Sequence, residues 1–527
     1  MKISQIKNKF LLPVLMMLLI ATAGCKKEFF DKKLYGIQDQ LATIKDEGTA
    51  LALTNGCYAF VDGTDWWSGR FDRMMLECSS DDGWGGNDYQ DRPTEMGCMA
   101  FTNALNPDNS FVQSLFDNLY QGVRNCNNLM VVMPNAPVTD ALKKRTVAEA
   151  KFLRAYYYFE LVKNYGESVL YTNLPISADL IPRSSVKDVY AQIVKDLKEA
   201  SSDLPEVGEG TYAGADKGRA TKGAALGLLS RAYLFMEDYA NAETTAQSII
   251  QSNKYDLLPN YGDLWNVNNP WSKESLFEIG YLPDTKFSTG TRATTMTWAT
   301  SDGGWGWFGL TSDLENAFKA EGDDVRRKNT IVKEGDPVEG ENRTYPAYNG
   351  QHTSGRHFRK LYVPIAERGG LYGNQPLNQI IVRFAETLLI YAEAAAFNGK
   401  NTEALVALNR VRARVGLAPK TGLSGDALKL AIWNERRLEL AGERTYRWDD
   451  IRRIKINGKK LITSLMGPNG SFVKYNTTLN TDPVETKPHR ESISKGIEFK
   501  EGKNELWPIP RTVIQASNAT VTQNIGY

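Results

Sequence analysis

The sequence predicts a mainly α-helical protein in which tetratricopeptide-like helical pairs form a scaffold and long irregular loops carry a ligand surface. Three observations support this. Residues 111–133, 139–165, 186–203, 221–252, 379–416 and 424–443 place apolar side chains at helical spacing. Two of these stretches share a rhythm: Leu229–Ala242 and Leu388–Ala404 each run as an alanine-rich helix with an aromatic, a short turn and a second amphipathic helix. Small residues at such positions let paired helices approach closely, as in tetratricopeptide pairs. The two copies lie far apart in the chain, so a simple tandem solenoid does not fit. Finally, 62–110, 255–310 and 330–378 are long and rich in Gly, Asn, Asp, Thr and aromatics. Loops of that length in a compact protein carry function or are disordered, and so many Trp and Tyr argue against disorder.

At the start of the chain, Lys2, Lys7 and Lys9 precede an apolar run from Phe10 to Ile20, which ends in Thr22-Ala23-Gly24-Cys25. The run is too short to span a bilayer, which takes about 20 apolar residues. It reads as a secretory signal over residues 1–24. Small residues directly before a cysteine mark a lipoprotein signal, so Cys25 is the expected lipidation site and the first residue of the mature chain. The rest divides into an N-terminal helical region, 25–253, and a C-terminal region, 254–527, interlocked as one unit.

The bulk numbers fit a globular protein: 42% hydrophobic and 24% charged residues. Lys+Arg 63 against Asp+Glu 62 leaves a net charge of +1, without the basic excess expected of a nucleic-acid binder. Besides Cys25 there are Cys57, Cys78, Cys98 and Cys126. An extracytoplasmic address permits two disulfides among them, and four buried thiols are the alternative. No CxxC occurs, which argues against a zinc ribbon or a thioredoxin-like pair.

In the helix expected over 139–165, Phe152, Tyr156 and Phe159 form one stripe, with Tyr157, Tyr158 and Leu161 on its flank. A helix apolar on two sides is buried between layers. Its tyrosine hydroxyls then need partners inside. Near the C-terminus, Glu435, Glu439 and Glu443 recur every four residues, with Arg436 three before Glu439. The spacing suits a charged network tying this helix to its neighbours, and nothing singles out an acid–base pair facing a cleft.

Several motifs in order resemble the SusD/RagB family of Bacteroidetes outer-membrane lipoproteins. They are Cys25–Asp31, Ala150–Gly166, Gly304-Trp-Gly306 followed by Asp323–Arg327, Arg383–Glu386 continuing to Val415, Asn434–Arg453, Leu506–Pro510 and Gln523–Tyr527. The chain departs from the family pattern at Glu167–Leu170, which lacks a proline, at Arg444–Arg447, and at Thr22. The resemblance implies the SusD-like helical fold and a binding protein rather than an enzyme. It further implies a lid on a SusC-like TonB-dependent outer-membrane barrel that captures an oligosaccharide, or a peptide in RagB-like members, for import. It also implies outer-membrane anchoring through Cys25 and display at the cell surface; Lys26 and Lys27 give that display no local support.

Sugar recognition needs flat aromatic rings for the apolar face of a pyranose and fixed polar groups for its hydroxyls. Two segments have this mixture: Asp62–Arg70 with Asp81–Tyr89, and Trp298–Phe308. Trp66, Trp67 and Trp84 are the expected stacking rings, Trp84 standing clear of the backbone among Gly83, Gly85 and Gly86. Asp65, Arg70, Asp82 and Asn87 are the expected hydrogen-bonding groups, and Tyr89, Trp305 and Trp307 complete the candidate set. Trp305 lies in the Gly-Trp-Gly motif that recurs in the family, so it also has a case as part of the fold.

No cofactor or metal is expected. Gly304–Gly309 satisfies GxGxxG but has no strand–turn–helix context. The acidic run from Asp81 to Asp91 lacks EF-hand spacing for calcium. His352, His357 and His489 offer too little for a zinc site or a triad. The rival reading, a lipid-anchored glycoside hydrolase, needs two carboxylates flanking the bond, and no motif marks them.

Overall fold

A computed structural model describes residues 44–62, 76–85, 93–173, 181–208, 212, 214–281, 290–338, 340–346, 354–369, 375–472 and 499–527. The expected signal segment, Cys25, Asp65, Trp66, Trp67, Arg70, Asn87 and Tyr89 lie outside the described residues.

The expected helices form where the apolar periodicity places them, and four further ones, α1, α7, α8 and α12, lie outside the stretches singled out by that periodicity. In chain order they are α1 (Glu47–Tyr58), α2 (Ser110–Val132), α3 (Asp140–Tyr165), α4 (Val186–Asp203), α5 (Lys222–Phe235), α6 (Tyr239–Gln251), α7 (Ser312–Glu321), α8 (Asp324–Thr330), α9 (Phe384–Phe397), α10 (Asn401–Arg414), α11 (Gly425–Leu440) and α12 (Tyr446–Arg453). Side chains cap most of the long ones. Asn109, Thr139, Ser185 and Thr221 each accept from a backbone N–H of the first turn. None of the described helices is long and apolar enough to cross a membrane.

Helices α2 to α6 pack as successive neighbours, and α9 packs against both α6 and α10. The two hairpins with the shared rhythm, α5–α6 and α9–α10, therefore meet in space although the sequence separates them. Tyr239 stacks on Phe397 with ring centroids 3.9 Å apart and planes 3° from parallel. The Asn398 amide donates to Glu243 at 2.7 Å, and Lys400 pairs with the same carboxylate.

Helix α3 is buried on both of its apolar sides. Phe152, Tyr156, Tyr157, Tyr158, Phe159 and Leu161 are all at or below 1% exposure. Each tyrosine hydroxyl has found a backbone carbonyl: Tyr156 donates to Val61, Tyr157 to Cys57, Tyr158 to Tyr171 and Tyr165 to Val112. Cys57, Cys78, Cys98 and Cys126 are all buried, and no disulfide joins them.

The stretch 379–416 is not helical throughout. Its first five residues, Gln379–Arg383, form a strand antiparallel to Ser275–Ile279. The β-branched run Ile380-Ile381-Val382 suits a pleated surface as well as a helix, and the partner strand decides the outcome. In chain order the first six strands among the described residues are β1 (Gly83–Trp84), β2 (Ser275–Ile279), β3 (Gly309–Leu310), β4 (Ile331–Val332), β5 (His357–Phe358) and β6 (Gln379–Arg383). They pair as β1–β3, β2–β6 and β4–β5. One hydrophobic cluster runs from Ile44 to Val521, and side chains from both sides of residue 253 contribute to it.

The Glu–Arg helix is held by charge. Glu435 meets Arg326 at 2.7 Å and Arg412 at 2.6 Å. Glu439 meets Arg383 at 2.6 Å, Arg326 at 3.1 Å and Arg414. Glu443, just past the end of α11, meets Arg383 at 2.8 Å and Lys360 at 2.6 Å. Arg436 turns instead to Asp450 and Glu386. The acids thus tie α8, α10, β6 and the segment at Lys360 to α11. Burial would raise the Glu439 carboxyl, but Arg414, Arg383 and Arg326 hold it far below its ordinary value.

Candidate ligand-binding site

The best-described part of the expected site is the loop from Ala293 to Leu310. A one-turn helix, Ala293–Thr297, leads into a tight turn at Thr300–Asp302. The chain then folds back on that helix. Gly304 N–H donates to Ala299 O at 3.0 Å, Trp305 N–H to Thr295 O at 2.8 Å and Trp307 N–H to Met296 O at 2.9 Å. Gly304 crosses so close to Trp298 that a Cβ there would lie 2.4 Å from the Trp298 carbonyl oxygen. The Gly-Trp-Gly motif therefore has a steric reason inside the loop.

These bonds set the Trp305 and Trp307 rings side by side, centroids 4.7 Å apart and planes at 45°. Both are partly exposed, with their inner sides against the main core. The support beneath is rigid. Trp298 is buried, its indole N–H donates to Leu361 O at 3.0 Å, and Arg368 lies 4.0 Å over its ring. Asp302 is clamped by Arg368 at 2.7 Å and Arg343 at 2.9 Å.

The loop ends in β3, whose pairing with β1 sets Gly83 opposite Leu310 and Trp84 opposite Gly309. Two further bonds lock the strands together: Thr311 N–H to Asp82 O at 2.9 Å and Thr311 Oγ1 to Asp81 O at 2.7 Å. The Trp84 and Trp307 segments, distant in sequence, thus share one edge.

That pairing corrects two expectations. Trp84 does not stand clear of the backbone; it is a strand residue, 5% exposed, so its ring packs rather than offering a stacking face. Asp82 does not offer a free carboxylate, because it is fully buried and accepts from Arg437 at 2.8 and 2.5 Å. Beside it, Arg447 makes a bidentate pair with Asp81, both bonds 2.7 Å. Burial raises both carboxyls. Arg447 and Arg437 overrule it at Asp81, which is held down at about 2. At Asp82, burial and the Asp81 charge push the carboxyl up against the pull of Arg437.

Asp81, Asp82 and Asp313 gather closely enough to suggest a cation site, their ligand oxygens lying within 4.8 Å of one another. Arg437 reaches all three, at 3.3, 2.5 and 2.6 Å. A guanidinium therefore occupies the position a metal would take.

Of the sequence-derived candidates, the described structure brings Trp84, Trp305 and Trp307 to one edge and leaves Trp305 and Trp307 accessible. The residues that sequence reasoning missed are the supports: Arg343, Arg368 and Arg437 each come from a different segment, and no local spacing links them to the loops they hold. Two cavities lie elsewhere. One of about 580 Å³ borders the C-terminal segment, and one of about 620 Å³ lies against residues 260–268; neither is lined by Trp84, Trp305 or Trp307.

Comparison with known proteins agrees with the mainly helical fold. Residues 273–527 match the model of the SusD family, and residues 87–234 match a second model described as starch-binding associating with outer membrane. SusD-like protein P2 of Formosa agariphila is 27% identical over 511 residues, covering 90% of this chain and 96% of that protein. Among solved structures, a laminarin-binding SusD-like protein superposes with a TM-score of 0.72 at 27% identity, covering 92% of this chain and all of that one. A SusD homologue from Bacteroides thetaiotaomicron superposes with a TM-score of 0.76 at 23% identity, over 93% of this chain and 98% of the other, which speaks to the fold. A mainly helical frame, the Glu–Arg helix at its centre and two family models matching separate parts of the chain agree: this chain belongs to the SusD family of glycan-binding proteins.

Proposed function

We propose that this protein is a surface lipoprotein that binds an oligosaccharide or polysaccharide and acts as the lid of a SusC-like TonB-dependent outer-membrane transporter. The observation that carries the binding reading is the Trp305–Trp307 pair, partly exposed and fixed by backbone bonds on a supported loop. Two rigid rings with few rotors to freeze suit the apolar face of a sugar. The lipobox-like ending at Cys25 supports the anchor, and the family supports the barrel partner. Trp66, Trp67, Asp65, Arg70, Asn87 and Tyr89 remain candidate contacts on the grounds of sequence. One similar structure is of a laminarin-binding protein, which makes β-glucans the first class to try. A binding role fits the described acids at the site edge, since Asp81 and Asp82 are paired with Arg447 and Arg437.

Affinity electrophoresis of the chain lacking residues 1–25, run through laminarin, starch, xylan and mannan with peptides titrated alongside, tests this. Retardation by a glycan, with the Trp307→Ala variant weaker by about tenfold or ~1.4 kcal/mol, is the expected result. Binding to peptides alone would move the cargo to the RagB-like class. Hydrolysis of any of the polysaccharides would refute the non-enzymatic role.

A further inference from the structure

We propose that the protein carries a second saccharide site, separate from the tryptophan pair: the cleft of about 620 Å³ between the turn Tyr261–Trp265 and its following loop, the turn at 340–343 and the segment 359–367. The proposal takes its ligand class from the saccharide reading above, but its location and its evidence are independent.

The lining chemistry is that of a binder of neutral hydroxyl groups. Asn260, Asn266, Asn268, Asn329 and Asn342 all face the cleft, together with Trp265. A primary amide presents both a donor and an acceptor, as a sugar hydroxyl does, so the two match in either direction. Three carboxylates and two guanidiniums among the lining residues leave one net negative charge, which disfavours an anionic ligand. Trp265 supplies an apolar surface. Its ring is partly buried, set edge-on to Tyr261 at 4.9 Å, with the Lys360 ammonium 4.5 Å from its centre.

The walls are built to hold their shape. Glu341 accepts from the Tyr362 hydroxyl at 2.9 Å, from Arg343 at 2.6 Å and from the Ile365 N–H, which clamps the 340–343 turn to the 359–367 segment. On the other side, a Cβ at Gly262 would lie 2.5 Å from the Asn329 amide oxygen, so glycine lets the turn close on α8. Asn329 is itself fixed by donating to Val325 O at 2.9 Å.

Within this frame some amide capacity is left over. Asn266 Oδ1 accepts from the Asn268 N–H at 2.9 Å, which orients the amide, while its Nδ2 has no protein partner among the described residues. The exposed Asn342 amide has none there either. A clamped cleft with an oriented amide at Asn266 and a second unused amide at Asn342, beside an indole, is preorganised for a polyhydroxylated ligand.

Calorimetric titration of the full mature chain in detergent micelles tests the proposal, with laminarihexaose, maltohexaose, xylohexaose and mannohexaose as probes. Two variants are compared with the parent: Asn266→Ala/Asn342→Ala, which changes only exposed side chains, and Trp305→Ala/Trp307→Ala. The expected result is two sites in the parent for at least one hexaose. The asparagine variant should keep one site and weaken the other at least tenfold, and the tryptophan variant should show the converse loss. Hydrogen exchange on the parent gives a second readout that needs no variant, with 260–268 expected to slow on binding. An asparagine variant that titrates like the parent, with no slowing at 260–268, overturns the second site and leaves the tryptophan reading standing. Loss only in the asparagine variant overturns the tryptophan reading and upholds the cleft. A parent that binds none of the four hexaoses overturns the cleft assignment.

Discussion

Arg437 shows how much of this site is structural. Its guanidinium is surrounded by the carboxylates of Asp81, Asp82 and Asp313, and Asp81 is shared with Arg447. Removing one partner from a buried pair leaves an uncompensated charge, which costs about 3–5 kcal/mol. Arg437→Ala is therefore expected to lower the melting temperature sharply, and β1 should loosen with it. The measurement is thermal unfolding beside glycan retardation. Trp307→Ala should show the opposite pattern, with weakened retardation and nearly unchanged melting, because its ring is partly exposed. If Trp307→Ala melted like Arg437→Ala, its role would be packing.

At the scale of elements, two contacts hold the frame. Tyr239 and Phe397 stack between α6 and α9, and an aromatic pair contributes about 0.5–1.5 kcal/mol beyond its buried area. A double-mutant cycle of Tyr239→Ala and Phe397→Ala should return a coupling in that range, and a coupling near zero would mean the hairpins are held elsewhere. The second contact is the acid row of α11. Glu439→Gln keeps the volume but removes the charge that faces Arg383, Arg326 and Arg414. Its expected cost is about 3–5 kcal/mol, read from denaturant unfolding. Glu-to-Gln at an exposed acid such as Glu403 should change stability by less than about 0.5 kcal/mol.

Across the whole molecule, buried titratable groups set two windows of acid sensitivity. Burial holds the His357 imidazole down at about 4, while its Nδ1 lies 2.9 Å from the Thr297 carbonyl. The folded state resists protonating this ring, so stability is intact above its ordinary 6.5 and falls as pH drops from there to about 4. Burial would raise Glu315, but Arg356 and Lys333 hold it down at about 2. Its contribution is present above its ordinary 4.5 and is lost as pH falls toward 2. Melting temperature against pH should decline gently in the upper window and steeply in the lower one. His357→Gln should flatten the upper window, and an unchanged slope would assign that window to other groups.

The sequence by itself determined the helices α2 to α6 and α9 to α11, the buried face of α3 with its tyrosines, the two similar hairpins, the family and the loops that carry aromatics. Apolar periodicity reports which side of an element is covered, and that is enough to place helices over 111–133 and 186–203, where α2 (Ser110–Val132) and α4 (Val186–Asp203) form. It does not report what does the covering. Trp84 reads as a free ring among glycines until β3 pairs with it, and Asp82 reads as a sugar contact until Arg437 arrives from a segment 355 positions away. The strand Gln379–Arg383 and the meeting of α6 with α9 were decided in the same way. Only the tertiary structure could settle these, because the energy of a buried charge, a strand or a ring depends on its partner, and those partners lie far along the chain.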